Sequence, residues 1–283
     1  MIPEAETRRL AAAKGVDLMV IDLDYALGWL LAGLFSDSAI RDSWIFKGGT
    51  SLKKCWFPEY RFSEDLDFTV HGRLDVDMVQ NLLKDPLEKV AQLSGIDLNA
   101  TAPRFELVSD EYGKESLQGR LYHRSTIQRT GSPQAIRIDL SADEVVIFPP
   151  VSRQLMHPYS DSASLPKVAI PCYSLEEVVA EKLRAVGGQR HYAIARDIYD
   201  IHQLTSTGVD LENVMSALGE KFAVKGLKIS PGIVTGFVDR RDDYRLDWER
   251  RVENLEAGLQ VEFDVAFQTV TDMLERIIEE YCH

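Results

Sequence analysis

The spacing of hydrophobic positions changes along the chain, and it predicts strands mixed with helices first and helices alone afterwards. Apolar residues recur at helical spacing over residues 16–35, and the aromatic and β-branched run Trp44–Phe46 then predicts a strand. A helix is expected over residues 76–93, and further strands at 63–70, 105–108, 117–123 and 135–140. In the last strand Ile136 and Ile138 point to one face, whereas Arg137 and Asp139 point to the other.

A proline-rich segment separates the mixed part from the helical part. Residues 148–171 contain five prolines and several serines, a composition typical of a connection. We therefore expect a core with an N-terminal helix at 1–150, a connection at 151–171, and a mainly helical domain at 172–283.

The strongest local pattern is a glycine turn after the strand that ends at Phe46. Lys47 is followed by Gly48, Gly49, Thr50 and Ser51, and a helix is expected to restart at Thr50. Two glycines let backbone N–H groups approach an anion closely, and a helix start adds its positive end. A Gly-Gly pair alone is often only a turn, but this turn, with Lys47 before it, is a candidate cradle for the phosphates of a nucleotide.

Two aspartates follow on the next predicted strand. Asp65 and Asp67 lie two positions apart, so both project from one face, and Ser63 precedes Asp65 by the same interval. Adjacent carboxylates repel each other unless a cation lies between them, and Mg²⁺, or Mn²⁺ in its place, suits such oxygens. Asp139 would supply a third oxygen if its strand lies beside that of Asp65. An isolated Asp-x-Asp is usually solvated, but the preceding glycine turn favours a metal site.

A second group of charged residues lies in the helical part. Ser174 and Glu177 form a capping box, which marks a helix start. Lys182 falls on the apolar stripe of this helix, where a lysine is costly unless it meets an anion or its ammonium reaches water. On the next helix Asp197 lies at the margin of the stripe, and Asp200 lies further round on a more exposed side. Lys182 and Asp197 are therefore candidate site residues, and a purely structural salt bridge between them is the alternative.

The charge of the chain limits how a nucleic acid could be bound. The 283 residues carry a formal net charge of -13 with a pI near 5.0, which argues against binding through bulk positive charge. A local basic patch would be needed instead. Arg190 and Arg196 are either phosphate contacts or ordinary surface bases. Two other groups are more often solvated helix faces than patches: Lys221, Lys225 and Lys228, or Arg240, Arg241, Arg245, Arg250 and Arg251.

Membrane contact is not expected. No stretch approaches the roughly 20 apolar residues that span a bilayer, and the first residues form no apolar signal core. We therefore expect a cytoplasmic protein.

Four motifs, taken together and in this order, resemble the AbiEii/AbiGii family of nucleotidyltransferase toxins, which includes the MenT toxins. They are Gly48-Gly49-Thr50-Ser51, Ser63-x-Asp65-x-Asp67, Glu181-Lys182-Leu183-Arg184-Ala185 and Ala195-Arg196-Asp197-Ile198-Tyr199-Asp200. The resemblance implies an α+β fold, in which a polymerase β-like core with a mixed sheet is followed by a helical domain that contributes Lys182 and Asp197 to the site. It implies that Asp65 and Asp67 bind metal, that Ser63 matches the family's hydroxyl residue, and that Lys182 contacts phosphates.

The resemblance also implies a function. Members act as the toxin of a bacterial toxin–antitoxin pair, and some transfer a nucleotide from an NTP to the 3′ end of tRNA, which blocks aminoacylation. We therefore expect a Mg²⁺-dependent nucleotidyltransferase with an NTP substrate, a tRNA acceptor and a cognate antitoxin. The acidity of the chain keeps alternatives open: nucleotidylation of a protein or of a cationic small molecule such as an antibiotic, or a catalytically inactive nucleotide-binding homologue.

Overall fold

The computed structural model describes residues 1–98, 100–109, 115–124, 127, 132–142, 144–190, 192–252 and 261–282. The chain forms two units, of which the first comprises Met1–Glu144 and Pro150–Cys172. The second comprises Val145–Pro149 and Tyr173–His283. The chain thus leaves the first unit after residue 144, returns at residue 150 and leaves again after residue 172.

A seven-stranded mixed sheet is the framework of the first unit. Its strands are β1 (Trp44–Lys47), β2 (Asp65–Val70), β3 (Arg104–Ser109), β4 (Glu115–His123), β5 (Gln134–Ser141), β6 (Val151–Gln154) and β7 (Ala169–Cys172). Their order across the sheet is β3, β4, β5, β2, β1, β7, β6. β2 runs parallel to β5 and antiparallel to β1, and β1 runs parallel to β7. This mixed sheet confirms the α+β class expected from the sequence.

One face of the sheet is apolar because buried positions alternate with polar ones along the strands. Leu66 and Phe68 of β2 are fully buried. The ring of Phe68 stacks on that of Phe46, with 5.1 Å between centroids, and also contacts the rings of Trp44 and Phe35. Each buried ring stabilises the fold by about 2 kcal/mol. The neighbouring positions of β2 therefore present their side chains on the opposite face.

Five α-helices and a 3₁₀ turn at Ser162–Ser164 accompany this sheet in the described part of the first unit. The α-helices are α1 (Glu4–Lys14), α2 (Leu18–Leu34), α3 (Ser38–Ser43), α4 (Gly48–Ser51) and α5 (Val76–Ser94). A π-helical turn, Leu52–Trp56, continues α4, so the chain after β1 is helical through residue 56 as the glycine pattern predicts.

The segment predicted as a connection differs from that expectation, because it contains two strands of the sheet. β6 and β7 pair with each other, and β7 pairs with β1 where Phe46 lies opposite Cys172. Arg153 of β6 also donates a hydrogen bond of 3.0 Å to the carbonyl oxygen of Cys55. Four of the five prolines lie outside the two strands, in the segments that bound them, so proline content did not distinguish a hairpin with a long loop from a linker.

The regular elements described in the second unit are helical. They are α6 (Leu175–Arg184), α7 (Ala195–Thr205), α8 (Leu211–Val224), α9 (Gly232–Val238), α10 (Arg241–Asp247) and α11 (Phe263–Tyr281), with π-helical turns at Ala185–Gln189 and Trp248–Val252. The capping box expected at the start of α6 is present in part, since the Ser174 hydroxyl accepts a hydrogen bond from the Glu177 N–H at 3.1 Å.

A buried ion pair links α6 to α8 and holds residues 145–149 in the second unit. Glu177 and Lys221 pair with both side chains 0% exposed. Glu177 also accepts hydrogen bonds from the N–H groups of Ile147 and Phe148, and Lys221 donates one to the carbonyl of Val145. Lys221 therefore lies neither on a basic patch nor on a solvated helix face, the two alternatives that the sequence left open, because this side of α8 faces inward.

Lys225, which follows α8, is buried as well, so it does not extend such a surface either. Within the described parts of the chain, no helix is both long and apolar enough to cross a membrane.

Candidate active site

Two rows of polar side chains cross the polar face of the sheet in the first unit. In the first row Lys47 on β1 lies opposite Asp67 on β2, and Asp67 lies opposite Asp139 on β5. The row continues through Gln118 on β4 to Glu106 on β3. Because directly opposite residues point to the same face, two of the predicted metal ligands stand side by side on neighbouring strands. The condition set for Asp139, a strand adjacent to that of Asp65, is thus met.

The second row begins at Asp65. Asp65 lies opposite Arg137 on β5, Arg137 opposite Arg120 on β4, and Arg120 opposite Arg104 on β3. The Arg137 Nη1 atom lies 3.4 Å from Asp65 Oδ1, and the side chain of Arg137 remains 68% exposed. None of these three arginines was identified from the sequence as a candidate site residue. The available signal was the alternation of polar and apolar residues, as in Arg104-Phe105-Glu106-Leu107 on β3 and Arg120-Leu121 on β4.

All members of the two rows except Lys47 line one concave site. A cavity of about 500 Å³ is bounded by the carboxylates of Asp65, Asp67 and Asp139 and by the three arginines of the second row. A volume of this order is typical of small-molecule sites in proteins. The cavity lies wholly within residues of the first unit.

The glycine turn lies against this carboxylate cluster. Gly48 has φ 76°, and a Cβ atom placed on it would lie 2.3 Å from Asp67 Oδ2. A side chain at this position would therefore meet both backbone strain and a direct clash. The Thr50 hydroxyl donates to the carbonyl of Asp65, and the Ser51 hydroxyl donates to the carbonyl of Gly48 at 2.9 Å. The Thr50 hydroxyl thus holds the turn against the start of β2, and the Ser51 hydroxyl bonds within the turn itself.

The second glycine also makes a close approach to neighbouring side chains. A Cβ atom on Gly49 would lie 2.7 Å from Arg61 Nη2 and 3.1 Å from Ser63 Oγ. The Arg61 side chain is buried, and its Nη1 donates to the carbonyl of Phe62 at 3.2 Å. Ser63, a predicted site residue, therefore lies at the turn. Arg61 also lies there but was not identified, since a lone arginine four residues before Asp65 carries no local pattern.

The electrostatics of the first row depend on burial. Burial raises the pKa of the Asp139 carboxyl above its ordinary value, and the positive charge of Lys47 and a hydrogen bond from Gln118 oppose this without reversing it. Gln118 Nε2 lies 3.4 Å from Asp139 Oδ2. The pKa is raised because a negative charge at Asp139 is poorly solvated. A cation on this face would therefore favour the ionised form.

The donor set fits a hard divalent cation. All three candidate ligands are carboxylates, which Mg²⁺ prefers. The nearby Gly48 has no side chain to fill the space against Asp67. Among the residues that the structure describes, no three His, Cys, Asp or Glu side chains converge as a preformed metal cluster. The geometry establishes a shared face and register for the ligands, and their convergence on an ion would require rotamer changes.

The second unit contains the other predicted site residues, and it brings them together in one cluster. Lys182 Nζ lies 2.7 Å from Asp197 Oδ1 and 2.9 Å from Asp200 Oδ2. Arg190 forms an ion pair with the other carboxylate oxygen of Asp197. Burial would raise the pKa of Asp197, but the positive charges of Arg190 and Lys182 outweigh it and hold the pKa below its ordinary value. The salt bridge considered from the sequence is therefore present.

The expectation for Asp200 was wrong. The helical wheel placed it on a more exposed side, but its side chain is 0% exposed and it bonds to Lys182. A helical wheel shows only where a residue lies relative to the apolar stripe of its own helix. It does not show that α7 packs against three other helices, α6, α10 and α11, which can bury positions outside that stripe. The cluster thus contains two acids for one lysine and one arginine.

Several of the arginines considered as a basic patch are engaged within the second unit. Arg241 and Arg245 both pair with Asp264, and Arg251 pairs with Asp247 at 2.9 Å. Arg240 donates to the carbonyl of Arg190 at 2.8 Å. The three ion pairs reduce the positive charge that this group could offer to a nucleic acid.

Comparisons with known proteins give the family and the fold. The family model described as nucleotidyl transferase AbiEii toxin, type IV TA system, matches residues 29–269. Among solved structures, MenT4, a nucleotidyltransferase toxin from Mycobacterium tuberculosis, is 20% identical with a TM-score of 0.58, over 99% of this chain and 90% of that chain. JHP933 from Helicobacter pylori is 18% identical with a TM-score of 0.55, over 94% of each chain. Comparison with curated protein sequences gave no match.

Because the two solved structures are only 20% and 18% identical to this chain, their similarity establishes the fold alone. The family model establishes the family as well, because it spans most of the chain and includes every motif identified from the sequence. The resemblance seen in the motifs is therefore confirmed, as is the expectation of a nucleotidyltransferase. The chain belongs to the AbiEii family, the nucleotidyltransferase toxins of type IV toxin–antitoxin systems.

Proposed function

We propose that this protein transfers a nucleoside monophosphate from an NTP to the 3′ end of tRNA. In this reaction the 3′-hydroxyl oxygen attacks the α-phosphorus of the NTP, and pyrophosphate leaves. One observation carries the proposal: Asp65, Asp67 and Asp139 share one face and adjacent strands beside a glycine turn. That arrangement supports a phosphoryl-transfer site, since carboxylates and a close backbone are what a metal-bound triphosphate requires.

The carboxylates would hold Mg²⁺, or Mn²⁺ in its place. When bound, such an ion lowers the pKa of the attacking hydroxyl and neutralises charge on the triphosphate. Asp67 and Asp139, opposite each other in register, and Asp65, two residues along β2, would supply the oxygens. The repulsion among these ligands explains why the site would take a cation readily.

The glycine turn would bind the phosphates of the NTP. Gly48 and Gly49 leave the backbone open to an anion, and Thr50 and Ser51 act indirectly by fixing the turn. Lys47 adds a positive charge in line with Asp67. The role that the family resemblance gives to Lys182, a contact with the nucleotide's phosphates, stays a prediction, as does an orienting role for Asp197 and a phosphate contact by Arg190.

The family membership implies a protein partner as well. We propose that a cognate antitoxin neutralises the protein and that the reaction takes place in the cytoplasm, where NTPs and tRNA are available. A small gene next to this one that encodes a DNA-binding protein would support that partner.

Replacement of the first carboxylate tests the proposal. Asp65→Ala should abolish transfer of labelled NMP to tRNA and leave the far-UV circular dichroism unchanged. Glu64→Ala is the matched control, because Glu64 is the exposed neighbour on the chain and does not line the cavity. Undiminished incorporation by Asp65→Ala would exclude this site as the centre of the reaction.

The acceptor is tested separately. Wild-type protein is incubated with each labelled NTP and Mg²⁺, together with total RNA, a protein extract or an aminoglycoside. The proposal expects label in the RNA fraction alone. Label in protein or in the small molecule would favour the alternative acceptors, and Mg²⁺-dependent NTP binding without any transfer would favour an inactive homologue.

A further inference from the structure

The arginine row on β3, β4 and β5 has no evident role in folding. Arg104, Arg120 and Arg137 lie directly opposite one another on three adjacent strands. Their Cα atoms therefore span about 10 Å in a line across the sheet. Like charges directly opposite on neighbouring strands destabilise a sheet. Such a row is therefore costly to the fold unless an anion compensates it.

The protein itself supplies little compensation. All three arginines are exposed, and Arg137 lies 3.4 Å from Asp65 Oδ1. Within the described residues, Arg104 and Arg120 make no ion pair. Glu106, the acid nearest to them on β3, lies in the other row, opposite Gln118. The positive charge of the row is thus directed to the cavity in a chain whose net charge is -13.

The arginine row extends from the carboxylates toward one edge of the sheet, away from the glycine turn. The glycine turn contacts Asp67 from the β1 side, where the triphosphate of an NTP would lie. The arginines extend the opposite way, from Asp65 across β5 and β4 to the edge strand β3. Guanidinium groups bind phosphates in a planar, bidentate manner. A second phosphate-bearing molecule would therefore reach the carboxylates along this side.

We infer that the arginine row binds backbone phosphates of the acceptor RNA strand as it approaches Asp65. The inference rests on the proposed function and adds to it the surface that receives the acceptor. It also accounts for how an acidic protein meets a polyanion, since the required positive charge is concentrated in one row. A cationic acceptor would be repelled by the same three side chains.

Binding measurements on variants of the central arginine test the inference. Labelled bulk tRNA is titrated with wild type, Arg120→Ala, Arg120→Lys and Arg73→Ala over a range of salt concentrations. Arg73 is an exposed arginine of the same unit that does not line the cavity, so its variant matches the change in charge. Binding of a labelled NTP with Mg²⁺ is measured in parallel, and thermal unfolding confirms that each variant is folded.

Arg120→Ala should weaken tRNA binding about tenfold and lower the log–log salt slope by about one, because one phosphate contact is lost. Arg120→Lys should keep most of the slope, since lysine retains the charge. Arg73→Ala should stay within about twofold of wild type, and NTP binding should not change in any variant.

Equal tRNA affinities for Arg120→Ala and Arg73→Ala would overturn the inference. A loss of NTP binding instead of tRNA binding would also overturn it and assign the row to the triphosphate. The outcome is separable from the proposed function. If Arg120 governs tRNA binding but no nucleotide is transferred, the proposed function fails and the row stands. If nucleotide is transferred to tRNA but neither binding nor transfer depends on Arg120, the proposed function stands and the inference about the row fails.

Discussion

The carboxylates of the first unit and those of the second differ in how their charge is balanced. Asp65 is 29% exposed, and the arginine beside it is mostly in solvent. Asp197 and Asp200 are 6% and 0% exposed, and both contact Lys182 within 2.9 Å. The first group faces a cavity, whereas the second is an internally compensated cluster.

This difference indicates that the carboxylates of the first unit contribute little to the stability of the fold, whereas those of the second unit are required for it. Half-exposed carboxylates lined up on a sheet repel one another and do little to stabilise it. A buried charge that loses its partner, in contrast, is costly. We therefore expect substitutions in the first unit to remove activity at little cost in stability, and substitutions in the second to cost stability first.

The largest expected effect is the loss of transfer in Asp67→Asn. This change keeps the volume of the side chain but removes the charge of a proposed metal ligand, so the rate should fall about a thousandfold or more. The free energy of unfolding should change by less than about 1 kcal/mol. The transfer rate is measured with labelled NTP, and the free energy of unfolding is measured by urea denaturation. A severe loss of stability would place Asp67 with the second group instead.

The next effect is the destabilisation of the second unit by Asp197→Ala. Lys182 and Arg190 would lose a shared partner, and the free energy of unfolding should fall by about 3 kcal/mol. Glu220→Ala, at an exposed position within α8, is the control and should stay within about 0.5 kcal/mol of wild type. Urea denaturation measures both. Equal stabilities of the two variants would show that the cluster is not structural.

A smaller effect is expected at the glycine turn. Gly48→Ala should destabilise the protein by about 1–2 kcal/mol, because φ is 76°, and should also reduce transfer, because the new Cβ displaces the Asp67 carboxylate. Gly226→Ala is a matched control, since Gly226 has φ 65° and nothing within 4 Å of a Cβ atom. The control should lose stability alone. Equal transfer rates in the two variants would show that the close approach to Asp67 has no catalytic importance.

The smallest expected effect is a change in the stability of the protein at acid pH. The folded-state pKa of Asp197 lies below its ordinary value of 3.8, so its ionised form stabilises the protein above that pH. The contribution is lost as the pH falls through the folded-state pKa. Stability of wild type should therefore fall more steeply below about pH 4 than that of Asp197→Asn, by at most about 1.4 kcal/mol per pH unit. Parallel curves from urea denaturation would contradict this assignment.

Local pattern was enough to predict the elements that carry the first motifs. Trp44–Phe46, the glycine turn and the helix after it are specified by residues adjacent in sequence, and the structure has them as β1, α4 and the π-helical turn. Asp65 and Asp67 share a face because strand geometry has a period of two. The two motifs could be predicted because their geometry arises within a few residues.

The remaining parts of the site depend on which segments become neighbours. Asp139 is only a polar position on a strand until β5 pairs with β2, and the arginine row exists only through the register of three strands. The burial of Asp200 and of Lys221 likewise comes from packing against other helices. A helical wheel or an alternating pattern contains no information about these long-range contacts.

The central claim, transfer of a nucleotide to an RNA 3′ end, is tested most directly by comparing intact tRNA with tRNA whose 3′-terminal ribose has been oxidised by periodate. Wild-type protein, Mg²⁺ and each labelled NTP are incubated with either RNA, and the mass of the product is measured. We expect a mass increase of one or more nucleoside monophosphates on intact tRNA and none on oxidised tRNA. Equal labelling of both RNAs, or label only in protein, would contradict it.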